Sequence, residues 1–270
     1  MHWADYTAQR LMERGDEQVS ASGITPSGEF HIGHLREILS AEMIHRACLD
    51  AGMSSKYIFI VDSMDPLRRV YDFLSPEYEE FIGCPLAFIP APGEDGSPGD
   101  GSVTYADHFL SPFLDALEQI GVKPEVVMNH ETYEKGLFAE YIDSAITNRE
   151  EIRGIIQQIS GRELPSDWFP YNPMGSDGSM DGVTVTGYEK PYVLWRDSSG
   201  KEGKSDIRKA HGKMPWRVDW AARWVIHGIT CEPAGKDHGA AGGSYDTGIP
   251  ICRLLGCLLY TSDAADDRDS

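Results

Sequence analysis

Ser27 to Glu37 reads SGEFHIGHLRE, with His31 and His34 on either side of Ile32-Gly33. The stretch before it, GITPSG, is rich in small residues, and the stretch after it has helical periodicity. Imidazoles spaced i, i+3 share one side of an opening helical turn. Their N–H groups would stand beside unpaired backbone N–H groups and the positive end of the helix dipole. Such a set suits an oxyanion, above all one that gains charge in a transition state. Gly23, Gly28 and Gly33 leave room for backbone to approach a ligand closely. The residues alone leave three readings open: a phosphate site, a pair of metal ligands, or a Gly-rich strand-to-helix turn carrying two surface histidines.

Other segments bear chemistry too. In PWRVDWAARW, Trp216, Trp220 and Trp224 recur every four residues and form an aromatic stripe, for which core packing is the plain reading. GKDHGAAGGSYDTG sets Asp237 and His238 ahead of Gly242-Gly243 and a helix beginning near Ser244. Lys236-Asp237 reads equally well as a solvated ion pair. DSMDP closes a strand with Asp62 and Asp65, at the end where open α/β sheets bind ligands. A helix N-cap would use the same residue type.

The elements that must position these groups follow from periodicity. MHWADYTAQRLMERG predicts a short amphipathic helix, and QVSASGIT a buried strand ending near Ile24. HLREILSAEMIHRACLDAG predicts a helix from about His34, with Leu35, Ile38, Leu39, Met43, Ile44 and Ala47 on one stripe and Gly52 as its stop. KYIFIVDS is a second strand, so a βαβ unit and a parallel sheet are expected. Beyond a loop at Ala91 to Ser102 come a helix (YADHFLSPFLDALEQIG), a strand (KPEVVMN) and one long helix (YEKGLFAEYIDSAITNREEIRGIIQQISG). Short strands and turns follow from Asp167 to about Lys213, and then helix returns. The expected fold is α/β: a Rossmann-type parallel sheet in parts 1–166 and 214–256, with a small β-rich insertion at 167–213.

The chain has 270 residues, 41% of them hydrophobic and 10% aromatic, which is a globular composition. Its formal net charge of −19 lowers the expectation of nucleic-acid binding, although a local basic groove can sit in an acidic whole. Cys48, Cys84, Cys231, Cys252 and Cys257 form no C-x-x-C pair, so neither a disulfide framework nor a zinc knuckle is read from them. There is no signal-peptide pattern, and no apolar run approaches the roughly 20 residues of a membrane span. The expectation is a reduced, cytoplasmic protein that does not enter a membrane.

HIGH preceded by TPSG at a strand-to-helix turn resembles the ATP-binding signature of class I aminoacyl-tRNA synthetases. VDSMDPLRRV, YADHF, KMPWRVDWAARW and GKDHGAAGGSYDTG narrow the resemblance to the lysyl enzymes of class I, the largely archaeal form, over essentially all of residues 1–256. The resemblance implies ATP-dependent activation of L-lysine to lysyl-adenylate and its transfer to tRNA(Lys), with Mg2+ accompanying ATP. His31 and His34 would act on the phosphates, and Thr25, Ser27, Gly28 and Gly33 would hold ATP with them. Gly23, Thr25 and Trp220 match lysine-site positions, the Trp220 ring packing along the lysine stem. A lysine ammonium needs an acceptor, for which Asp219 and Asp237 are both candidates. His238 and Tyr245 would line the site, and Gly242-Gly243 would approach adenine or ribose.

Departures from the family pattern carry expectations of their own. The insertion in that family often holds C-x-x-C zinc pairs, where this chain reads PMGSDG and WRDSSGKEG, so no zinc is expected. KMP at Lys213 is not the KMSKS loop, which with the anticodon-binding domain is expected beyond residue 256; the isolated piece is then expected to be weak or inactive. Cys257 to Ser270, CLLYTSDAADDRDS, resembles a translated sequencing adapter and is expected to be non-native. Rival readings are a glutamyl-type class I synthetase, a cytidylyltransferase-like nucleotidyl transferase sharing the HIGH turn, and a non-catalytic nucleotide- or tRNA-binding module.

Overall fold

The computed structural model describes residues 1–256. A helix α1 (Trp3–Met12) leads into strand β1 (Glu17–Ile24), helix α2 (Ile32–Asp50) and strand β2 (Ser54–Val61). After a long connection come α3 (Tyr105–Gln119) and β3 (Glu125–Met128). The three strands form a parallel sheet in the order β1-β2-β3, as the βαβ pattern predicts. On the free edge of β1 a further extended segment pairs in parallel, through Thr230 N–H to Val19 O and Ala21 N–H to Cys231 O. β1 therefore has neighbours on both sides that come from opposite ends of the chain. Its carboxyl end is a topological switch point, the crevice where α/β sheets bind ligands.

Both faces of β2 are buried, and its alternation sorts the core. Tyr57, Phe59 and Val61 pack with Ile38 and Ala41 of α2 and Phe113 and Leu117 of α3. Ile58 and Ile60 face the opposite cluster, built around Tyr133, Ile142, Val218 and Trp220. A strand buried on both sides reads as a continuous apolar run, which is what KYIFIV is. α2 begins at Ile32 rather than near His34, because His31 takes the N-cap position. Met43, placed on the buried stripe by periodicity, is 37% exposed, and Ala41 and Cys48 take the core positions instead.

The single long helix expected after β3 is three: α4 (Asn129–Glu134), α5 (Ala139–Thr147) and α6 (Arg149–Ser160). Gly136 makes the first break in a left-handed conformation (φ +72°), where a Cβ would lie 3.1 Å from the Arg208 carbonyl oxygen. Asn148 makes the second, turning its side-chain amide back onto the Ser144 carbonyl.

The next block contains only antiparallel pairs: β5 (Thr184–Glu189), β6 (Tyr192–Arg196) and β7 (Glu202–Asp206) in one sheet, and β4 (Asn172–Pro173) with β8 (Gly212–Lys213) in another. Val193, Ile207, Ala210 and Met214 of this block share a cluster with Ala21 and Ile60 of the parallel sheet. Asp197 holds its turns together. Its carboxylate accepts from the hydroxyls of Ser176 and Ser199 (both 2.6 Å) and from the N–H groups of Ser199 and Lys201 (both 3.0 Å), and these contacts hold its pKa well below the usual range. These turns are formed by the two segments PMGSDG and WRDSSGKEG. The chain then runs through α7 (Trp216–Ile226), the short α8 (Lys236–Gly239) and α9 (Ser244–Leu254). The stretch 257–270, read as a non-native tail, lies outside the described residues.

Candidate active site at the carboxyl end of the parallel sheet

A cleft of about 340 Å³ opens at the carboxyl end of β1. Its floor is Ser22 and Gly23, and Asp62 borders it from the end of β2. Trp216, Trp220 and Arg223 of α7 form one wall, and Glu232 to Gly235 and His238 another. Arg36 and Glu37 of α2 complete the rim. At Gly23 a Cβ would lie 3.7 Å from Asp62 Oδ2 and 3.8 Å from Glu232 Oε1, so the missing side chain keeps these carboxylates open to the cleft.

Glu232 is the group sequence reasoning missed. It is 9% exposed, and its Oε2 accepts from the indole N–H groups of Trp220 (2.9 Å) and Trp224 (2.7 Å). Burial pushes its pKa up, partly offset by the two indoles and Arg223. The available signal was its place just after the extended segment paired with β1, at the ligand end of a parallel sheet. The tryptophan stripe divides differently from its expected packing. Trp224 is core, but Trp216 is 36% exposed and walls the cleft, its ring 5.6 Å from that of His238.

Behind the cleft lies a buried charge network. Arg223 pairs with both Asp62 and Asp219, and Lys213 pairs with Asp65. Tyr133 donates its hydroxyl proton to Asp219 and accepts from Met214 N–H at 3.0 Å. Thr25 donates to Asp65 at 2.7 Å. Burial raises the pKa of Asp62 despite Arg223, while Asp65 is held low by Lys213 and Thr25 against its burial. With Glu232 included, the carboxylates of Asp62, Asp65, Asp219 and Glu232 face, among the described residues, the buried cations of Lys213 and Arg223. Asp219 is wholly buried and saturated by Arg223 and Tyr133, so the structure does not bring it to the cleft.

Neither His31 nor His34 lines the cleft; at the amino end of α2 the His31 ring folds over the first turn of the helix. Its Nδ1 accepts from Gly33 N–H at 3.1 Å, and His34 Nδ1 accepts from His31 N–H at 3.1 Å, which makes a reciprocal cap. Gly33 is required here, because a Cβ would come within 2.8 Å of His31 Cε1. The rings stack at 3.9 Å. With Nδ1 accepting in each, a neutral ring carries its proton on Nε2, which remains a donor. Burial, and then His31, lower the His34 pKa against a small opposing effect of Glu37. The first turn of α2 holds no acidic residue, so its positive end is uncompensated.

The remaining expected positions scatter. Ser27 accepts from the Tyr105 hydroxyl through its backbone oxygen at 2.8 Å, and Gly28 lies against Phe73. Tyr245 packs behind the cleft against Trp220 and Trp224, at 5.5 and 5.4 Å. Gly242 and Gly243 are closed in by protein, with Cβ positions 2.8 Å from the Ile159 oxygen and 2.4 Å from the His238 oxygen. Neither lines the cleft. Asp237 belongs to α8, and its side chain lies outside the described part of the structure.

A switch-point crevice, a histidine-capped helix N-terminus and an acidic aromatic pocket coincide with a family match. The profile of the tRNA synthetases class I (K) matches residues 1–258, and the chain belongs to that family. It is 44% identical to the lysine–tRNA ligase of Picrophilus torridus over 252 residues, 93% of this chain and 48% of that protein. The lysine–tRNA ligases of Archaeoglobus fulgidus (44%, covering 94% of this chain and 50% of the relative) and Methanocaldococcus jannaschii (43%, 94% and 48%) are similar. The chain thus spans about half the length of the curated relatives it matches. Among the described residues no helix is long and apolar enough to cross a membrane, and no cluster of three or more His, Cys, Asp or Glu could hold a metal ion.

Proposed function

We propose that the protein activates L-lysine with ATP and, as a whole protein, transfers it to tRNA(Lys) as a lysine–tRNA ligase of the cytoplasm. The observation that carries this reading is the excess of buried carboxylate over cation beside an aromatic-walled cleft. Glu232 Oε1 and Asp62 accept the lysine ammonium, and Trp220 and Trp216 cover its methylene stem. In this reading Glu232 replaces Asp219 as the acceptor, and Tyr245 and Asp219 support the pocket from behind. A glutamate side chain would bring a further anion against Glu232 and Asp62, which disfavours the glutamyl-type reading.

ATP lies across the turn from Thr25 to His34, with Mg2+ entering on its phosphates. The lysine carboxylate attacks the α-phosphorus; a new O–P bond forms, the bond to the bridging oxygen breaks, and pyrophosphate leaves. The Nε2–H groups of His31 and His34 and the α2 N-terminus stabilise the added charge. A terminal ribose hydroxyl of tRNA then attacks the adenylate carbonyl, and AMP leaves. The division into 1–166, 167–213 and 214–256 belongs to the same reading.

Calorimetric titration of this chain with a non-hydrolysable lysyl-adenylate sulfamate tests it, with the glutamyl and arginyl analogues as controls. Selective binding of the lysyl form is expected. Equal binding of all three, or none, overturns the assignment. For the complete protein, lysine-dependent ATP–pyrophosphate exchange is the corresponding measurement.

A further inference from the structure

The side chain of Lys213 reaches neither solvent nor the cleft. It is 5% exposed, on β8 at the seam between the antiparallel block and α7, and its ammonium meets Oδ1 of Asp65, which is equally buried. The other oxygen of that carboxylate, Oδ2, accepts from the Thr25 hydroxyl at 2.7 Å. Thr25 is the first residue beyond β1 and opens the turn that leads to His31 and His34. One carboxylate therefore pins the turn after β1, the turn after β2 and the last strand of the antiparallel block. A buried ion pair is a poor source of stability, because desolvation offsets the attraction and an apolar replacement is often neutral. What this pair supplies is direction: an ionised acceptor with each oxygen engaged holds the Thr25 hydroxyl in one orientation.

Both ends of the bridge are braced. Lys213 pairs with Asn172 of β4, and Met214 N–H donates to the Tyr133 hydroxyl at 3.0 Å. On the other side, Asp65 N–H bonds to Asp62 O and Leu86 N–H to Asp65 O, each at 3.0 Å, while Asp62 N–H bonds to Ile24 O at 2.9 Å. Neither anchor can drift without moving the strand ends that frame the cleft. Burial works against the Asp65 charge, and Lys213 with Thr25 more than offsets it, so the carboxyl stays ionised.

We propose that Lys213 is a positioning residue for adenylate formation: through Asp65 it fixes the Thr25 hydroxyl, and with it the turn between β1 and α2, without touching substrate. The proposal rests on the lysine-activating reading, which lays ATP across that turn. Thr25 does not line the cleft that takes the amino-acid side chain, so the effect of Lys213 belongs to the nucleotide half of the adenylate.

The test is calorimetric titration of this chain with the lysyl-adenylate sulfamate, which reads affinity and the number of competent sites separately. Lys213→Met/Asp65→Asn removes both buried charges together, so neither is stranded, and leaves an amide oxygen as a neutral, unpinned acceptor for Thr25. Affinity for the analogue is expected to fall about tenfold at unchanged stoichiometry, the difference between a charge-assisted and a neutral hydrogen bond. Free L-lysine, which lacks the nucleotide half, should bind this variant as it binds the parent. Thr25→Val added to the pair should cost nothing further, because the hydroxyl it removes is already unpinned. If a thermal melt shows that the paired variant does not fold, Lys213→Gln takes its place with the same expectation, since it keeps an N–H donor for Asp65 Oδ1. Unchanged affinity of the folded variant for the analogue overturns the positioning role, as does an equal loss for L-lysine or a full additional loss from Thr25→Val. Failure of the parent chain to bind the analogue overturns the lysine-activating reading instead.

Discussion

Trp220 and Glu232 are joined by an indole N–H donating to Oε2 at 2.9 Å, and Trp224 donates to the same oxygen. One carboxylate oxygen is thereby fixed by two neutral donors and the other is left for a ligand. Glu232→Gln keeps an oxygen for the indoles but removes the charge. Losing one charge-assisted hydrogen bond of about 1.5–3 kcal/mol should weaken lysyl-adenylate analogue binding about 10- to 100-fold, measured by calorimetry, with little loss of fold stability. Burial raises the pKa of the empty Glu232, and a bound ammonium would favour its ionised form. Affinity for lysine should therefore fall as pH is lowered through that raised pKa, and Glu232→Gln should flatten the profile.

His34 caps α2 together with His31, and in the proposed mechanism it also meets the phosphates. His34→Ala removes the acceptor for His31 N–H, which should cost about 1 kcal/mol in urea unfolding. In the complete protein the rate of adenylate formation should fall about 10²- to 10³-fold, the scale of a lost transition-state donor. A rate loss no larger than the stability loss would leave His34 a capping residue only.

Arg223 holds Asp62 and Asp219 at once, both buried. Arg223→Met leaves two carboxylates without their cation and should cost about 3–5 kcal/mol by denaturant unfolding. The loss should shrink as pH falls, because burial raises the Asp62 pKa and its protonation removes one stranded charge.

His227, at the end of α7, is half-buried with its Nε2 covered and unpartnered, and burial plus the nearby Arg223 push its pKa down from 6.5 to about 4. The unfolded chain then binds the proton first, so stability falls as pH drops from about 6.5 towards 4, at up to about 1.4 kcal/mol per pH unit. Above that window the group is neutral in both states and contributes no slope. His227→Leu should remove this part of the pH dependence in thermal melts between pH 4 and 7.

Local pattern was enough to place β1, α2 and β2, because each carries its own periodicity and stop signal. The same approach ran the helices after β3 together, since Gly136 and Asn148 act as breaks through their backbone angle and amide contact rather than through a proline. Chemistry drawn from one chain segment, such as the His31–Gly33–His34 cap, could be read directly. Chemistry assembled from distant segments could not. Asp62 and Arg223 are separated by 161 positions, so nothing near Asp62 in sequence reveals its cation, whereas the i, i+4 spacing of Asp219 and Arg223 on α7 did carry that signal. Glu232 was passed over for a related reason: its partners are indoles, which give no charge pattern to find.

The Lys213 ammonium on β8 meets Asp65, and Asp65 in turn receives the Thr25 hydroxyl. The antiparallel block therefore ends on a residue wired to the turn between β1 and α2. Transplanting that block between relatives is a graft across a live electrostatic joint. A chimaera that swaps 167–213 without matching positions 25 and 65 would strand an ion at the seam, so these three residues should travel as one unit.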